Sequence, residues 1–196
     1  MLGGRSERIV EQVLAATVRE LGESGYRAFR MDAVSAAAGV NKTTIYRRWP
    51  DKRTLVAAVV EWMRRIVHDV PLPDTGALER DLVEAFRRKV SFGDRVEGKA
   101  WARLLAEKRD PEVGEIIERA VKERSREWYA MVTRGAERGE LPRGTDPKLL
   151  LGMCNAVVEA WNADAGGRLG SELLEAAIRT ILVGARSGSL VRSRSK

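Results

Sequence analysis

Apolar residues recur along most of the chain at intervals of three and four positions, the spacing of one face of an α-helix. Runs in which β-branched and polar residues alternate, as in half-buried strands, are absent. Helix starts are marked by acidic caps at Asp51, Asp110 and Asp146, and Gly25 is typical of a helix end. The pattern therefore predicts an all-α fold. The predicted helices are Arg5–Ser24, Met31–Ala38, Lys42–Trp49, Lys52–Ile66, Leu78–Ser91, Ala100–Glu107, Pro111–Glu137, Lys148–Ala163 and Glu172–Ala185.

The helical pattern breaks at Pro71–Asp74, where two prolines without backbone N–H groups stand within four residues. We therefore expect a domain boundary close to this loop. Residues 1–51 form a predicted three-helix unit, 52–70 a connecting helix and 71–188 a second helical domain. Residues 189–196 are rich in Ser and Arg, and we expect this basic tail to be disordered.

The most informative stretch is Val34–Lys52, which reads VSAAAGVNKTTIYRRWPDK. Small alanines end one helix, Gly39 permits a positive φ, and Val40 can fill the angle before a second helix begins near Asn41. This order of residues is typical of a helix-turn-helix.

The second helix of this motif has two different faces. At 100° per residue, Ile45 and Trp49 share one side, and Tyr46 lies at its border. The opposite side is polar and consists of Thr43, Thr44 and Arg47. Cations flank this polar side at Lys42, Arg48 and Lys52.

Such a helix suits the major groove of double-stranded DNA, where its central side chains contact base edges and the flanking ones contact phosphates. Arg47 is the best candidate for a bidentate contact to guanine, and Tyr46 for a hydroxyl contact to phosphate. A surface helix with a solvated basic face is the alternative for any one of these residues taken alone.

Charge supports the DNA-binding interpretation because it is uneven. The formal charge of +7 divides into +4 over residues 1–70, −1 over 71–185 and +4 over 186–196. A basic region around the helix-turn-helix is the footprint expected of a phosphate-binding surface.

The segment Arg8–Met63 resembles the DNA-binding domain of the tetracycline-repressor (TetR) family. The resemblance rests on Gly25-Tyr26, Asp32-Ala33-Val34, Ala38-Gly39-Val40 and Thr44-Ile45-Tyr46-Arg47-Arg48-Trp49-Pro50. It implies a homodimeric repressor, joined mainly through its last two long helices, that leaves its operator when a ligand enters the second domain. The residues that correspond to the family's DNA contacts are Lys42, Thr43, Thr44, Tyr46, Arg47, Arg48 and Lys52.

One departure from the family pattern concerns Phe29 and Arg30, where the family usually has a Ser or Thr that caps the second helix. Arg30 retains the ability to contact phosphate, so we include it among the DNA-binding residues, but no capping side chain is expected.

The last two helices carry broad apolar faces, so two protomers could form a four-helix interface and bind a pseudo-palindromic operator. The alternative is that these faces only close the core of their own domain. An unknown, mostly apolar small molecule is the expected ligand. Its candidate contacts are Phe86, Phe92, Trp101, Leu105, Trp128, Met131, Met153, Asn155 and Trp161, each of which could instead be a core residue.

Composition argues against an enzyme and against a metal site, because the chain has one His and one Cys. We predict no catalytic residues, no metal and no cofactor. No apolar run is long enough for a membrane span, and the charged N-terminus does not resemble a signal peptide, so we predict a cytoplasmic protein without membrane contact. Three alternatives remain: an activator or a regulator without ligand control, an architectural DNA-binding protein, and an all-α enzyme on an apolar substrate.

Overall fold

A computed structural model describes residues 3–68, 70–164 and 170–191. Over these ranges the chain is all-α, as predicted, with nine helices and one isolated bridge between Thr145 and Val191. The helices are α1 (Gly3–Ala28), α2 (Met31–Ala38), α3 (Lys42–Arg48), α4 (Lys52–His68), α5 (Leu78–Gly93), α6 (Val96–Ala106), α7 (Pro111–Glu137), α8 (Pro147–Asp164) and α9 (Ser171–Arg186). None of these helices combines the length and apolar character needed to cross a membrane.

The first helix departs from its prediction at Gly25. This residue has φ 71° and ψ −179°, which breaks the helix, but a further turn follows as far as Ala28. The turn resumes because the carboxylate of Glu107 accepts hydrogen bonds from the N–H groups of Tyr26 and Arg27. That partner is 80 residues away in the sequence and could not be predicted from local pattern.

The sixth helix begins at Val96, four residues before its predicted start at Ala100. Gly98 weakened the helical pattern there, since glycine is a poor helix former. In the structure Gly98 is buried within the first turns of α6.

The described chain forms two compact units, and the units are not continuous in sequence. Unit 1 consists of Met1–Val70 with Phe92–Lys122, and unit 2 of Pro71–Ser91 with Glu123–Lys196. The break expected near Pro71 is one of the points at which the chain passes between them.

The core of unit 1 brings the three N-terminal helices together with α4, α6 and the beginning of α7. Helix α6 packs along α1, where Ala100 and Leu104 are fully buried. The fully buried side chains also include Val13, Leu21, Val34, Leu55, Val59 and Val113. The DNA-binding motif is therefore built on a core to which a later part of the chain contributes.

The core of unit 2 is formed by α5, the second half of α7, α8 and α9. Its most buried side chains include Leu78, Leu82, Phe86, Met131, Leu150, Ile178 and Leu182. Residues 189–191, which the sequence placed in a disordered tail, are folded here: Leu190 is buried and its carbonyl accepts a hydrogen bond from the N–H of Asp146 at 2.8 Å. The rest of the predicted tail, 192–196, lies outside the described residues.

Candidate DNA interface

The turn between α2 and α3 is fixed by a Schellman motif. Gly39 has φ 63° and ψ 27°, and its N–H donates to the carbonyl of Ala36. The N–H of Val40 donates to the carbonyl of Ser35 at 3.2 Å, and the Ser35 hydroxyl donates back to the carbonyl of Val40 at 2.7 Å. These bonds satisfy the end of α2 and set the direction in which the chain enters α3.

Helix α3 is held at both of its ends. The side chain of Asn41 accepts a hydrogen bond from the N–H of Thr43 at 2.9 Å, which caps the start. Ile45 and Trp49 are buried in the core of unit 1. Trp49 was predicted as the last helical residue but has an extended backbone, because it precedes Pro50. Its N–H still donates to the carbonyl of Ile45 at 2.8 Å, so the ring stays on the inner side.

The side of α3 opposite this anchor is exposed, as the helical wheel predicted. Thr43, Tyr46, Arg47 and Arg48 are exposed, and Thr44 is half-buried. The guanidinium of Arg48 lies 5.7 Å from the centre of the Trp49 ring, a distance that allows a cation–π contact. Helix α3 thus presents a polar and cationic face to solvent, while its other face is buried in the core of unit 1.

The start of α2 lacks a capping side chain, as the departure at Arg30 predicted. Arg30 is the extended N-cap residue, makes no side-chain cap hydrogen bond and is exposed. Its carbonyl accepts hydrogen bonds from the N–H groups of Ala33 and Val34. The guanidinium therefore stays at the surface, where a phosphate contact requires it.

Lys42 is paired at the surface of this motif. Its ammonium lies 2.7 Å from the Asp32 carboxylate, and both side chains are about half exposed. An exposed pair of this kind contributes little stability. A DNA phosphate would compete with Asp32 for the ammonium.

We expect Asp32→Asn to tighten DNA binding by about twofold to fivefold at low salt, because the substitution frees Lys42 and removes a nearby negative charge. Fluorescence anisotropy with a labelled duplex measures the change. Glu118→Gln, at an exposed position on α7, removes the same charge and serves as the control. Equal affinity of Asp32→Asn and the control would show that Lys42 does not contact DNA.

Lys52 begins α4 and is held by Tyr26. The Asp51 carboxylate accepts a hydrogen bond from the N–H of Thr54 at 2.7 Å, which caps α4 and keeps the pKa of Asp51 below its usual value. The ammonium of Lys52 donates to the carbonyl of Tyr26 at 3.1 Å and lies 4.0 Å from the centre of its ring. Lys52 is half-buried, so its position is more defined than that of a freely solvated lysine.

The predicted ligand-contact residues do not all belong to one unit. Phe92, Trp101 and Leu105 are in unit 1, and the other six are in unit 2. A surface cavity of about 490 Å³ in unit 2 is lined by Gly139–Pro142 and Arg186, and none of the predicted residues lines it.

The predicted ligand-contact residues in unit 2 differ in how far they are buried. Phe86 and Met131 are fully buried, and the rings of Phe86 and Trp128 meet edge to face with centres 4.8 Å apart. Met153 and Trp161 are 41% and 39% exposed. Phe86 and Met131 therefore lie in the core of unit 2, whereas Met153 and Trp161 lie at its surface.

Asn155 has a partner that the sequence analysis missed. Its side-chain carbonyl accepts a hydrogen bond from the ammonium of Lys89, which also lies 5.8 Å from the centre of the Phe86 ring. Lys89 follows Phe86 by three residues on α5, so helical spacing could have placed both on one side. The ammonium and the amide bring polar groups to the edge of the aromatic cluster.

The reactivity of the buried Cys154 thiol measures whether solvent reaches the core of unit 2. Burial raises the pKa of its thiol to about 12. Very little thiolate is present at pH 8, so we expect Ellman's reagent to react with the native protein only as fast as the protein opens. The same assay in guanidinium chloride supplies the fully reactive control. Rapid reaction of the native protein would mean that the core of unit 2 is open.

Helices α8 and α9 pack against each other in unit 2 and carry an exposed stripe without charges. Its positions recur at helical spacing on each helix. We call them the α8–α9 apolar surface, which comprises Leu149, Gly152, Met153, Ala156 and Ala160 of α8 and Leu173, Ala176, Thr180 and Val183 of α9. Met153, predicted as a ligand contact, belongs to this stripe.

Comparison with known proteins covers both parts of the chain. A family model described as bacterial regulatory proteins of the tetR family matches residues 13–59, and one described as the tetracyclin repressor-like C-terminal domain matches residues 72–181. Together they span the helix-turn-helix and most of the chain that follows it.

Two relatives with assigned names are regulators of transcription. The HTH-type transcriptional regulator AqdR of Rhodococcus erythropolis is 31% identical over 182 residues, which cover 92% of this chain and 86% of that protein. The DNA-binding transcriptional repressor TetR of Mycobacteroides abscessus is 39% identical over 83 residues, 40% of this chain and 41% of that protein.

Solved structures share the fold at low sequence identity. GusR of Salmonella enterica superposes with a TM-score of 0.74 at 18% identity, covering 95% of this chain and 98% of that one. The fatty acid degradation regulator FadR of Bacillus halodurans gives 0.68 at 20% identity, covering 90% and 99%. The relatives are transcription regulators and not enzymes. The two matched domains and the relative that spans nearly the whole chain show that this protein is a member of the tetracycline-repressor (TetR) family of DNA-binding transcriptional regulators.

Proposed function

We propose that the protein is a homodimeric repressor that binds a pseudo-palindromic operator and leaves it when a mostly apolar small molecule binds unit 2. The observation that carries the DNA-binding part is the exposed face of α3, which is polar and cationic while Ile45 and Trp49 anchor the helix from behind. A relative in Mycobacteroides abscessus is named a repressor, which supports the direction of control.

On the operator, α3 lies in the major groove. Arg47 contacts a base edge, with Thr43 and Thr44 beside it, because these side chains stand at the centre of the exposed face. The remaining predicted residues contact phosphates and hold the register. They are Arg30, Lys42, Tyr46, Arg48 and Lys52.

Dimerisation occurs through the α8–α9 apolar surface. Large apolar side chains that are exposed in a single chain, such as Leu149 at 47% and Val183 at 61%, are costly unless a partner covers them. The small residues between them, Gly152 and Ala156 among others, allow helices of two protomers to approach closely. A two-fold axis then pairs each stripe with its own copy.

The ligand binds beside the aromatic cluster of unit 2. Phe86, Trp128 and Met131 supply apolar contacts, and Asn155 with Lys89 supplies hydrogen bonds that orient the molecule. Phe92, Trp101, Leu105 and Trp161 stay secondary candidates, the first three because they belong to unit 1 and Trp161 because it is exposed.

The functional division that we propose keeps the DNA-binding domain at residues 1–51, the connecting helix at 52–70 and the ligand-binding and dimerisation domain at 71–188. The protein works in the cytoplasm, where a bacterial operator is found. Its membership of a bacterial regulator family supports this location.

The test is selection of genomic fragments with the purified full-length protein at about 0.15 M salt, close to physiological ionic strength. The best fragment is then footprinted with and without excess nonspecific DNA. We expect a protected palindrome with half-sites about one helical turn apart, roughly 34 to 36 Å, or somewhat more. Protection should survive the competitor.

Two other results would contradict the proposal. Uniform binding that the competitor abolishes, with a steep salt dependence, indicates an architectural DNA-binding protein. An asymmetric footprint of one protomer contradicts the dimer. A protected palindrome also supplies the probe for a screen of apolar compounds that release the protein.

A further inference from the structure

The end of α6 holds the backbone of α1 at its kink. Because Gly25 breaks the helix, the N–H groups of Tyr26 and Arg27 begin a new turn and need acceptors outside it. The two oxygens of the Glu107 carboxylate accept these hydrogen bonds, at 2.9 Å from Tyr26 and 3.0 Å from Arg27. A single side chain therefore caps this turn with both of its oxygens.

Gly25 makes room for this carboxylate. A Cβ atom at position 25 would lie 2.3 Å from Oε1 of Glu107, closer than any real contact, and the φ of 71° disfavours other residues as well. The contact of the Glu107 carboxylate therefore requires a glycine at position 25, although 82 positions separate the two residues in the sequence.

Tyr26 connects the cap to Lys52. The N–H of Tyr26 donates to Glu107, and its carbonyl accepts a hydrogen bond from the Lys52 ammonium. The ring of Tyr26 faces the same ammonium. Tyr26 is 2% exposed, so its ring is packed within the core of unit 1. One of the three N–H donors of Lys52 is used in this way, and the other two can reach a phosphate.

The start of α7 adds a second connection between the same parts of unit 1. The Arg53 guanidinium pairs with Glu115 at 2.5 Å, although both side chains are exposed and the pair is weak. Burial and the nearby Glu112 carboxylate raise the pKa of Tyr26, which keeps its hydroxyl protonated. Carboxylates from the end of α6 and the start of α7, those of Glu107 and Glu112, therefore lie near Tyr26.

We propose that Glu107 is a positioning residue for DNA binding: by capping Tyr26 it fixes the carbonyl and the ring that hold the Lys52 ammonium in place for an operator phosphate. The inference rests on the proposed function in one respect, the contact of Lys52 with phosphate. Glu107 lies within the part of the chain that matches the C-terminal repressor-like model, residues 72–181, yet it acts on the DNA-binding motif of unit 1.

The test is a double-mutant cycle in the full-length protein. Wild type, Glu107→Ala, Lys52→Ala and the double variant are titrated with the labelled fragment obtained by selection, at several salt concentrations. We expect Glu107→Ala to weaken binding by about tenfold, the loss of one held charge-assisted contact. The slope of log K against log salt should fall by about one, as for Lys52→Ala. In the Lys52→Ala background, Glu107→Ala should have no further effect.

The direction of the change in DNA affinity distinguishes a positioning role of Glu107 from the effect of its negative charge alone. Removal of a negative charge from a DNA-binding protein should strengthen binding, whereas we expect Glu107→Ala to weaken it. Glu118→Ala removes the same charge from an exposed site on α7 and should leave affinity equal or slightly higher. Base preference should be unchanged in all of these variants, since phosphate contacts carry no sequence information.

Glu107→Gln covers the case in which Glu107→Ala does not fold. An amide offers one acceptor oxygen to the two N–H groups, so we expect a smaller loss of affinity and a correspondingly smaller change in the salt slope. Thermal unfolding without DNA identifies a variant that is unfolded at the assay temperature. If Glu107→Ala is unfolded, Glu107→Gln takes its place in the double-mutant cycle.

Two outcomes would overturn the inference in different ways. If the losses from Glu107 and Lys52 multiply in the double variant, Glu107 does not act through Lys52. If Lys52→Ala leaves affinity and salt slope unchanged, Lys52 makes no phosphate contact, and that part of the proposed function fails together with the inference. A wild-type protein that selects no fragment contradicts the proposed function itself.

Discussion

Val183→Asp is expected to turn the proposed dimer into a monomer and to weaken operator binding by more than about a hundredfold, because linked binding of two half-sites is lost with the dimer. Val183 is 61% exposed on α9, within the α8–α9 apolar surface. The two-fold axis of the proposed dimer would place the new carboxylate in the interface twice, and an unpaired charge buried between helices costs several kcal/mol.

Light scattering after size exclusion measures the mass, and anisotropy with the operator measures the affinity. The matched control is Val96→Asp, since Val96 is 45% exposed but lies in the first turn of α6, where an acid is favourable. Met153→Lys makes the same test from α8. A dimer that survives both Val183→Asp and Met153→Lys would place the interface on another surface.

Arg47→Ala is expected to weaken binding to the specific operator by about 1 to 3 kcal/mol, which is roughly fivefold to 150-fold, and to relax discrimination at one base pair. The reason is its position at the centre of the exposed face of α3, opposite the buried Ile45. Alanine removes the forked donors while it preserves the helix.

The measurement is competition between the operator and duplexes with single base-pair changes. Lys52→Ala provides the comparison, because loss of a phosphate contact should weaken all of these duplexes alike. If Arg47→Ala also weakens them all equally, Arg47 contacts the backbone, and one of the threonines becomes the candidate for base recognition.

The helix-turn-helix was predictable from sequence because its signals are local. Gly39 permits the left-handed turn before α3, Asp51 caps α4, and the two opposite faces of α3 are visible on a helical wheel. The bounds of α2 were predicted to the residue, and those of α3 to one residue.

The ligand region was less predictable because apolar side chains at helical spacing suit a core as well as a pocket. Phe86 and Met153 are both large apolar residues at helical spacing in the sequence. In the structure Phe86 is fully buried, whereas Met153 belongs to the exposed α8–α9 apolar surface. Lys89 was overlooked since a lysine on a helix is ordinarily solvated, and only the packing of α5 near Asn155 reveals its hydrogen bond.

The sequence by itself determined the all-α class, the location of the DNA-binding motif, the face of α3 that is presented and the family to which the chain belongs. Each of these is built from short local signals along the chain, where propensity and periodicity act between residues a few positions apart. Only the tertiary structure decided that residues 92–122 join the N-terminal unit, that Glu107 caps the turn after Gly25, and that Leu190 packs at the end of unit 2. These contacts join positions far apart in the chain, and they form because buried apolar surface and unpaired N–H groups must find partners wherever the fold brings them.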